Sequence, residues 1–268
     1  MTLPTPATMA NQDALRMAKV LQDIGGDGAA VSSGWMSCDQ PGSWATYAAG
    51  LGLEGPLAAA DIDRVVDFYH SRQRPAQVQV HAYQHPSVMG QLKARGFTQV
   101  DESQVLAFDL SAELSELTPH GFRFVRVDPT QERDCLAFAA SQGTGFFEDK
   151  PVPAGMDPIT QRVIQLPRAQ LWLIERDGHV VGCGGLEPFE NMAVLIGACV
   201  HPEARRIGLH SAFIRFRLMQ AQQQGLDYAL IASAVNGPTQ RNATRVGFTP
   251  AYTHATMALP VSPSPAAA

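Results

Sequence analysis

Residues 200–211 read Val200-His201-Pro202-Glu203-Ala204-Arg205-Arg206-Ile207-Gly208-Leu209-His210-Ser211. An apolar run from Val194 to Val200 stops at His201-Pro202, and a short basic turn containing one glycine follows. A helical pattern then carries Phe213, Ile214, Phe216, Arg217, Leu218 and Met219. Strand, basic turn and helix in that order form a cradle for phosphate. The first turn of a helix has N–H groups without intrahelical partners, and the helix dipole is positive there. Gly208 allows close backbone approach to an anion, and Arg205 and Arg206 bring donors that match phosphate geometry. The ligand class this points to is a phosphorylated molecule.

The bulk of the chain bounds the alternatives. At 268 residues, with 45% hydrophobic content, it is long enough for one large or two small domains. The formal net charge of -5 argues against nucleic acid as a partner for the whole surface. No apolar run approaches the roughly 20 residues that span a bilayer. The stretch Met1-Thr2-Leu3-Pro4-Thr5-Pro6 lacks the basic and apolar regions of a signal peptide, so a cytoplasmic protein is the expectation. Cys38, Cys135, Cys183 and Cys199 show no metal-knuckle or redox spacing; Cys183 and Cys199, in strand-like runs, read as reduced core residues. No metal site is expected.

The elements that must hold the turn suggest an α/β chain of two similar halves. Pro- and Thr-rich residues 1–10 and the Pro/Ser-rich residues 260–268 read as disordered ends, and 111–121 as a linker between domains at 11–110 and 122–259. The first half carries a helix over 61–72, a strand over 78–82, a short helix ending in Arg95-Gly96-Phe97, and a closing strand over 105–110. The second half repeats that order with a helix over 211–224, a strand over 228–234, a short helix ending in Arg245-Val246-Gly247-Phe248, and a strand-like run to Leu259. Gly96 and Gly247 read as helix C-terminal caps. Upstream in the second half are a strand over 122–127, a helix over 129–141 with Asp128 as N-cap, and a hairpin turning at Asp177-Gly178.

With these residues in this order, roughly 121–259 resembles the GNAT acyltransferase superfamily. The family signature Gln/Arg-x-x-Gly-x-Gly/Ala stands here as Arg205-Arg206-Ile207-Gly208-Leu209-His210, and a second one as Asn236 followed by Gly247-Phe248. His210 departs from the usual Gly or Ala. The resemblance implies a tandem fold, each half a mixed, mostly antiparallel sheet flanked by helices, with a degenerate first half similar to one bacterial branch. It implies acetyl-CoA or another acyl-CoA as cofactor. Backbone groups of Ala198, Cys199 and Val200 would receive the pantetheine arm as an added strand. The N–H groups of Arg206, Ile207, Gly208, Leu209, His210 and Ser211 would hold the pyrophosphate, and Asn236 and Asn242 the arm or the 3′-phosphate side. In the first half the matching turn, Gly50 to Pro56, has no Arg or Lys and carries Glu54, so that half is expected to bind no CoA.

The implied reaction is acyl transfer to a primary amine of a small molecule or peptide, in a protein that is a monomer or homodimer. Ala243 occupies the place where many members carry a tyrosine acid, so Tyr252 is the nearest substitute. Glu187 and Glu190, read as loop carboxylates, are the candidate bases; Phe146 and Phe147 fall where the acceptor loop lies. His201 reads as a solvated turn residue, and no Ser-His-Asp or Cys-His arrangement is legible. The rival readings are a non-catalytic acyl-CoA-binding regulatory module and a phosphate-binding protein of another fold.

Overall fold

The computed structural model describes residues 3–115 and 118–261. In chain order the elements are α1 (Pro6–Ile24), β1 (Asp27–Val31), β2 (Gly34–Cys38), β3 (Tyr47–Ala49), α2 (Ala59–His70), β4 (Ala76–His81), α3 (Ser87–Ala94) and β5 (Thr98–Asp109). They continue with β6 (Phe122–Arg126), α4 (Glu132–Phe147), α5 (Met156–Ile164), β7 (Gln170–Arg176), β8 (His179–Phe189) and β9 (Met192–Val200). A 3-10 turn at Pro202–Ala204 leads to α6 (Leu209–Gln223), β10 (Tyr228–Ser233), α7 (Pro238–Val246) and β11 (Thr249–Leu259). Among the described residues no helix is long and apolar enough to cross a membrane.

The chain forms two compact units, one from Pro4–Ser103 with residues from Tyr252 onward, the other from Gln104–Ala251. The division therefore does not fall at 111–121: that segment joins β5 to β6 inside the second unit. The halves also exchange their closing strands. The last residues of β11 pair antiparallel with β4 (His254↔His81 to Leu259↔Ala76). The end of β5 pairs antiparallel with β10 (Gln104↔Ser233 to Asp109↔Tyr228). Alternation within a strand says which face is buried, not which neighbour it takes, so the exchange is silent in the sequence.

The expected disorder of residues 1–10 does not hold from Thr5 onward; residues 1 and 2 lie outside the described residues. Pro6 starts α1, where a missing N–H costs nothing, and the Thr5 hydroxyl accepts from Thr8 N–H at 3.2 Å. Ala10, Ala14, Ala18 and Leu21 then recur at helical spacing on a buried face, with Met9 beside them. Composition marked the segment as loop; the cap and the periodicity override it.

In the second unit the strand order is β5-β10-β9-β8-β7-β6. β7 and β8 turn at Asp177 (φ 50°) and Gly178 (φ 79°), the pair of positive angles that a tight hairpin demands. Helix α4 starts after Gln131, later than expected, and runs to Phe147. Asp128 instead holds the preceding turn, accepting from Thr130 N–H at 2.9 Å. Helix α6 lays Phe213, Ile214 and Leu218 into a core with Trp172, Leu186 and Ile231.

The pairing of β9 with β10 is parallel and short: Tyr228↔Met192, Ala229↔Ala193 and Leu230↔Val194. β9 continues to Val200 along β8, with a register shift where Gly197 takes φ 55°. Its other edge is thus left without registered partners from Leu195 onward.

Met9 is 3% exposed in a helix absent from the sequence reading. Met9→Ala is expected to lower stability by about 2–5 kcal/mol in urea unfolding. A change near zero would mean that α1 is not part of the core.

Candidate functional site

A cavity of about 840 Å³ opens where β9 parts from β10. Ala198, Cys199 and Val200 of β9 form one wall. Its floor is the turn before α6, with Arg205, Arg206 and Gly208, followed by Leu209, His210 and Ser211 of the first helical turn. Arg206 (φ 67°) and Gly208 (φ 80°) are both left-handed, and Gly208 caps α6 without a side-chain hydrogen bond. Left-handed residues in a turn gather successive N–H groups into a concave, anion-binding nest. A Cβ built on Gly208 would touch nothing, so it is the backbone angle rather than space that requires glycine there.

Helix α7 supplies the opposite wall through Thr239, Arg241, Asn242 and Arg245, and the end of α4 adds Gly145, Phe146 and Glu148. Four arginines and one carboxylate face the space. Among the described residues no group of three or more His, Cys, Asp or Glu side chains could hold a metal. What the geometry can do is receive an elongated polyanion: phosphates at the nest and the arginines, an extended arm beside β9.

Residues 137–248 match the Acetyltransferase (GNAT) family. No curated protein matches the chain. A GCN5-related N-acetyltransferase from Kribbella flavida superposes over 92% of this chain and 95% of its own, with 18% identity and a TM-score of 0.66. A tandem GNAT protein from the clavulanic acid biosynthesis pathway superposes over 96% and 97%, with 14% identity and a TM-score of 0.63. A GCN5-related N-acetyltransferase from Sphaerobacter thermophilus covers 81% of this chain and 72% of its own, at 15% identity and TM-score 0.59. The chain has a tandem GNAT fold.

Within that GNAT fold most residues singled out from the sequence meet in one place, and some do not. Ala198, Cys199, Val200, Arg205, Arg206, Gly208, Leu209, His210, Ser211 and Asn242 all line the cavity. Ile207 is 49% exposed and lies outside it. Asn236 (φ 59°) is also outside: its N–H donates to Gln240 Oε1 and its carbonyl accepts from Arg241 Nη1, both at 2.5 Å. Asn236 thus shapes the entry to α7.

Arg205, besides lining the cavity, makes three hydrogen bonds within the protein. Its Nε donates to Val200 O at 2.8 Å, Nη1 to Glu148 Oε1 at 2.6 Å, and Nη2 to Gly145 O at 3.3 Å. The guanidinium ties the end of β9 to the end of α4. Arg241 and Arg245, missed as site residues, stand four apart on α7, the spacing that puts two side chains on one helix face. That spacing was the available signal.

Tyr252 belongs to the first unit, not to the cavity. Its hydroxyl donates to Asp13 Oδ2 at 2.7 Å, and Asp13 is paired with Arg16 at 2.8 Å. Burial would raise the Asp13 pKa, but the Arg16 charge and the Tyr252 hydroxyl outweigh it and hold the carboxyl low. Glu187 is not a loop residue: it sits in β8, 1% exposed, with Oε1 accepting from Arg168 Nε at 2.6 Å. Neither lines the cavity. His201 is buried, with Nε2 2.9 Å from Ser141 Oγ.

His210 lies against Asn242, whose Nδ2 donates to His210 Nδ1 at 3.2 Å. Accepting there leaves the ring proton on Nε2. Burial, and then the charge of Arg217, push its pKa down to about 4. Arg217 is fully buried, donating to Phe213 O at 3.2 Å and Gly185 O at 3.0 Å.

A folded-state pKa near 4 against 6.5 unfolded means the unfolded chain binds more protons between those values. The His210 contribution is then intact above pH 6.5 and is lost as pH falls toward 4. His210→Gln is expected to flatten the acid loss of stability over that window, as read by urea midpoints at pH 7, 5.5 and 4.5. An unchanged slope would show a ring that titrates normally.

Proposed function

We propose that the protein is an N-acyltransferase that takes acetyl-CoA, or another acyl-CoA, and passes the acyl group to a primary amine of a small molecule or peptide. The observation that carries this reading is the convergence, in one cavity, of the open β9 edge, the nest at Arg206 and Gly208, and the α7 arginines. A polar arm laid along β9 would find strand-like hydrogen-bonding groups. Its pyrophosphate would meet the uncapped N–H groups of α6. Arg241 and Arg245 carry charge suited to a further phosphate.

The acyl carbon of a thioester so bound would lie near the mouth of the parted strands. A neutral amine attacks it, a tetrahedral oxyanion forms, and the thiolate leaves. A lysine-like amine, with pKa about 10.4, must first lose a proton. His210 is too weakly basic to take it efficiently, which favours removal through water. A CoA thiol, at about 8.5, leaves without an obligatory acid. The first unit is proposed to bind no CoA. The Gln84 amide spans the exits of its parallel strands β3 and β4, accepting from His81 N–H and donating to Leu51 O, both at 2.9 Å.

The second reading is a regulatory module that binds acyl-CoA without turnover. It is favoured by the absence of both Tyr252 and Glu187 from the cavity lining.

Calorimetric titration with acetyl-CoA tests the binding half. The wild type is expected to bind at micromolar concentration. Gly208→Glu should abolish binding, and Arg241→Ala or Arg245→Ala should each weaken it by roughly tenfold, the worth of one charge-assisted hydrogen bond. No binding by the wild type overturns the proposal. Binding without turnover across an amine panel selects the regulatory module.

A further inference from the structure

Cys183 and Cys199 share no redox spacing in sequence, yet the sheet sets them face to face across β8 and β9. Their sulfurs are 3.6 Å apart, and both are free thiols. Directly opposed residues of an antiparallel pair have Cα atoms about 4.5–5.5 Å apart. That lies within the roughly 4.4–6.8 Å over which disulfides form. Closing the gap to a bond of about 2.05 Å needs side-chain movement and no rearrangement of the strands.

The two thiols are not equivalent. Cys199 belongs to the cavity wall, and its Sγ donates to Ser141 O at 3.4 Å. Cys183 is fully buried behind it, with Sγ 3.9 Å from Phe138 O. The hydrogen bond from Cys183, opposed by burial and helped by Ser141 and the Arg205 charge, holds the Cys199 thiol below its ordinary value, while burial raises Cys183. Cys199 is the one of the pair that belongs to the cavity wall and whose pKa is lowered, and Cys183 stands within reach to resolve it.

We propose that Cys183 and Cys199 form a reversible oxidation site in the cavity wall, taking a small peroxide as oxidant and closing to a disulfide. The Cys199 thiolate attacks one peroxide oxygen; the S–O bond forms, the O–O bond breaks, and the departing hydroxide takes up a proton as water. Cys183, deprotonated in the step, attacks the resulting sulfenic sulfur. The S–S bond forms, the S–O bond breaks, and a second water leaves with the proton. Two thiols and hydrogen peroxide give one disulfide and two waters.

Oxidation also changes the cavity. The Cys199 side chain fills the space above Gly145, where a Cβ would stand 2.4 Å from its sulfur. Drawing that sulfur toward Cys183 withdraws it from Ser141 and from the end of α4 that Arg205 ties to β9.

The test uses the reduced full chain treated with stoichiometric hydrogen peroxide and read by intact mass and peptide mapping. Expected are the loss of two hydrogens, a single peptide cross-link between Cys183 and Cys199, thiols retained at Cys38 and Cys135, and full reversal by dithiothreitol. Cys183→Ser should stop at a sulfenic acid on Cys199 that dimedone traps. No loss of two hydrogens, or a cross-link involving Cys38, Cys135 or a second chain, overturns the proposal. Saturating acetyl-CoA should slow the reaction at least tenfold, an arm that rests on the proposed function. A cross-link that forms at the same rate with acetyl-CoA present upholds the oxidation site and counts against the cavity as the acyl-CoA site.

Discussion

The parting of β9 from β10 after three paired residues is the constraint from which the rest of the site follows. Parallel strands held together to their ends would leave no free edge and no room between the loops that follow them. Here β9 keeps its antiparallel partner β8 as far as Val200, so the edge facing away from β8 is open but rigid. The register shift at Gly197 inserts one extra residue into β9 opposite β8, as bulges do. The same divergence delivers the chain to the turn before α6, so the helix start and the open edge meet in one cavity. This is the general place for ligands in α/β sheets, at the carboxyl ends of strands whose neighbours diverge.

Charge is arranged around that opening in two layers. Arg205 acts at the cavity rim as a tie, donating from its three nitrogens to Val200 O, Glu148 Oε1 and Gly145 O. Arg206, Arg241 and Arg245 remain at the cavity. Behind the helix, Arg217 sits in full burial, donating from Nε and Nη1 to two carbonyls and lying over the ring of Phe213 at 4.4 Å, while its Nη2 has no hydrogen-bond partner. Its charge adds to burial in keeping His210 neutral, so the one histidine of the first helical turn brings a hydrogen bond with Asn242 rather than a charge near neutral pH.

The first unit shows how the same element order loses this chemistry. Its parallel pair β3 and β4 registers at Ala48↔Val78, and the turn after β3 again has left-handed glycines, Gly50 and Gly52. Yet the exits are stitched by Gln84, and the turn has acid where the second unit has arginine. Tyr252 and Asp13 form part of a buried hydrogen-bonded cluster in this unit, where they hold β11 to α1.

Much of the site was legible in the sequence because it is local. The strand end, basic turn, Gly208 and the amphipathic start of α6 are contiguous, and so are α7 and its Gly247 cap; backbone angles and helix ends are set by neighbours within a few residues. Local composition misled at residues 6–10, where a cap and a helical period competed with it. Tertiary structure alone decided which distant side chains meet. Tyr252 finds Asp13, Glu187 finds Arg168, and β5 and β11 change partners between halves. The cysteine pair shows the reason most plainly. Leu186 faces Leu195 and Gly185 faces Ile196, a register that would set Cys183 against Ala198. The shift in β9 sets it against Cys199 instead. Sequence determined which residues prefer strand, turn and helix; a one-residue slip in pairing, fixed only by packing of the whole sheet, determined which chemistry they bring together.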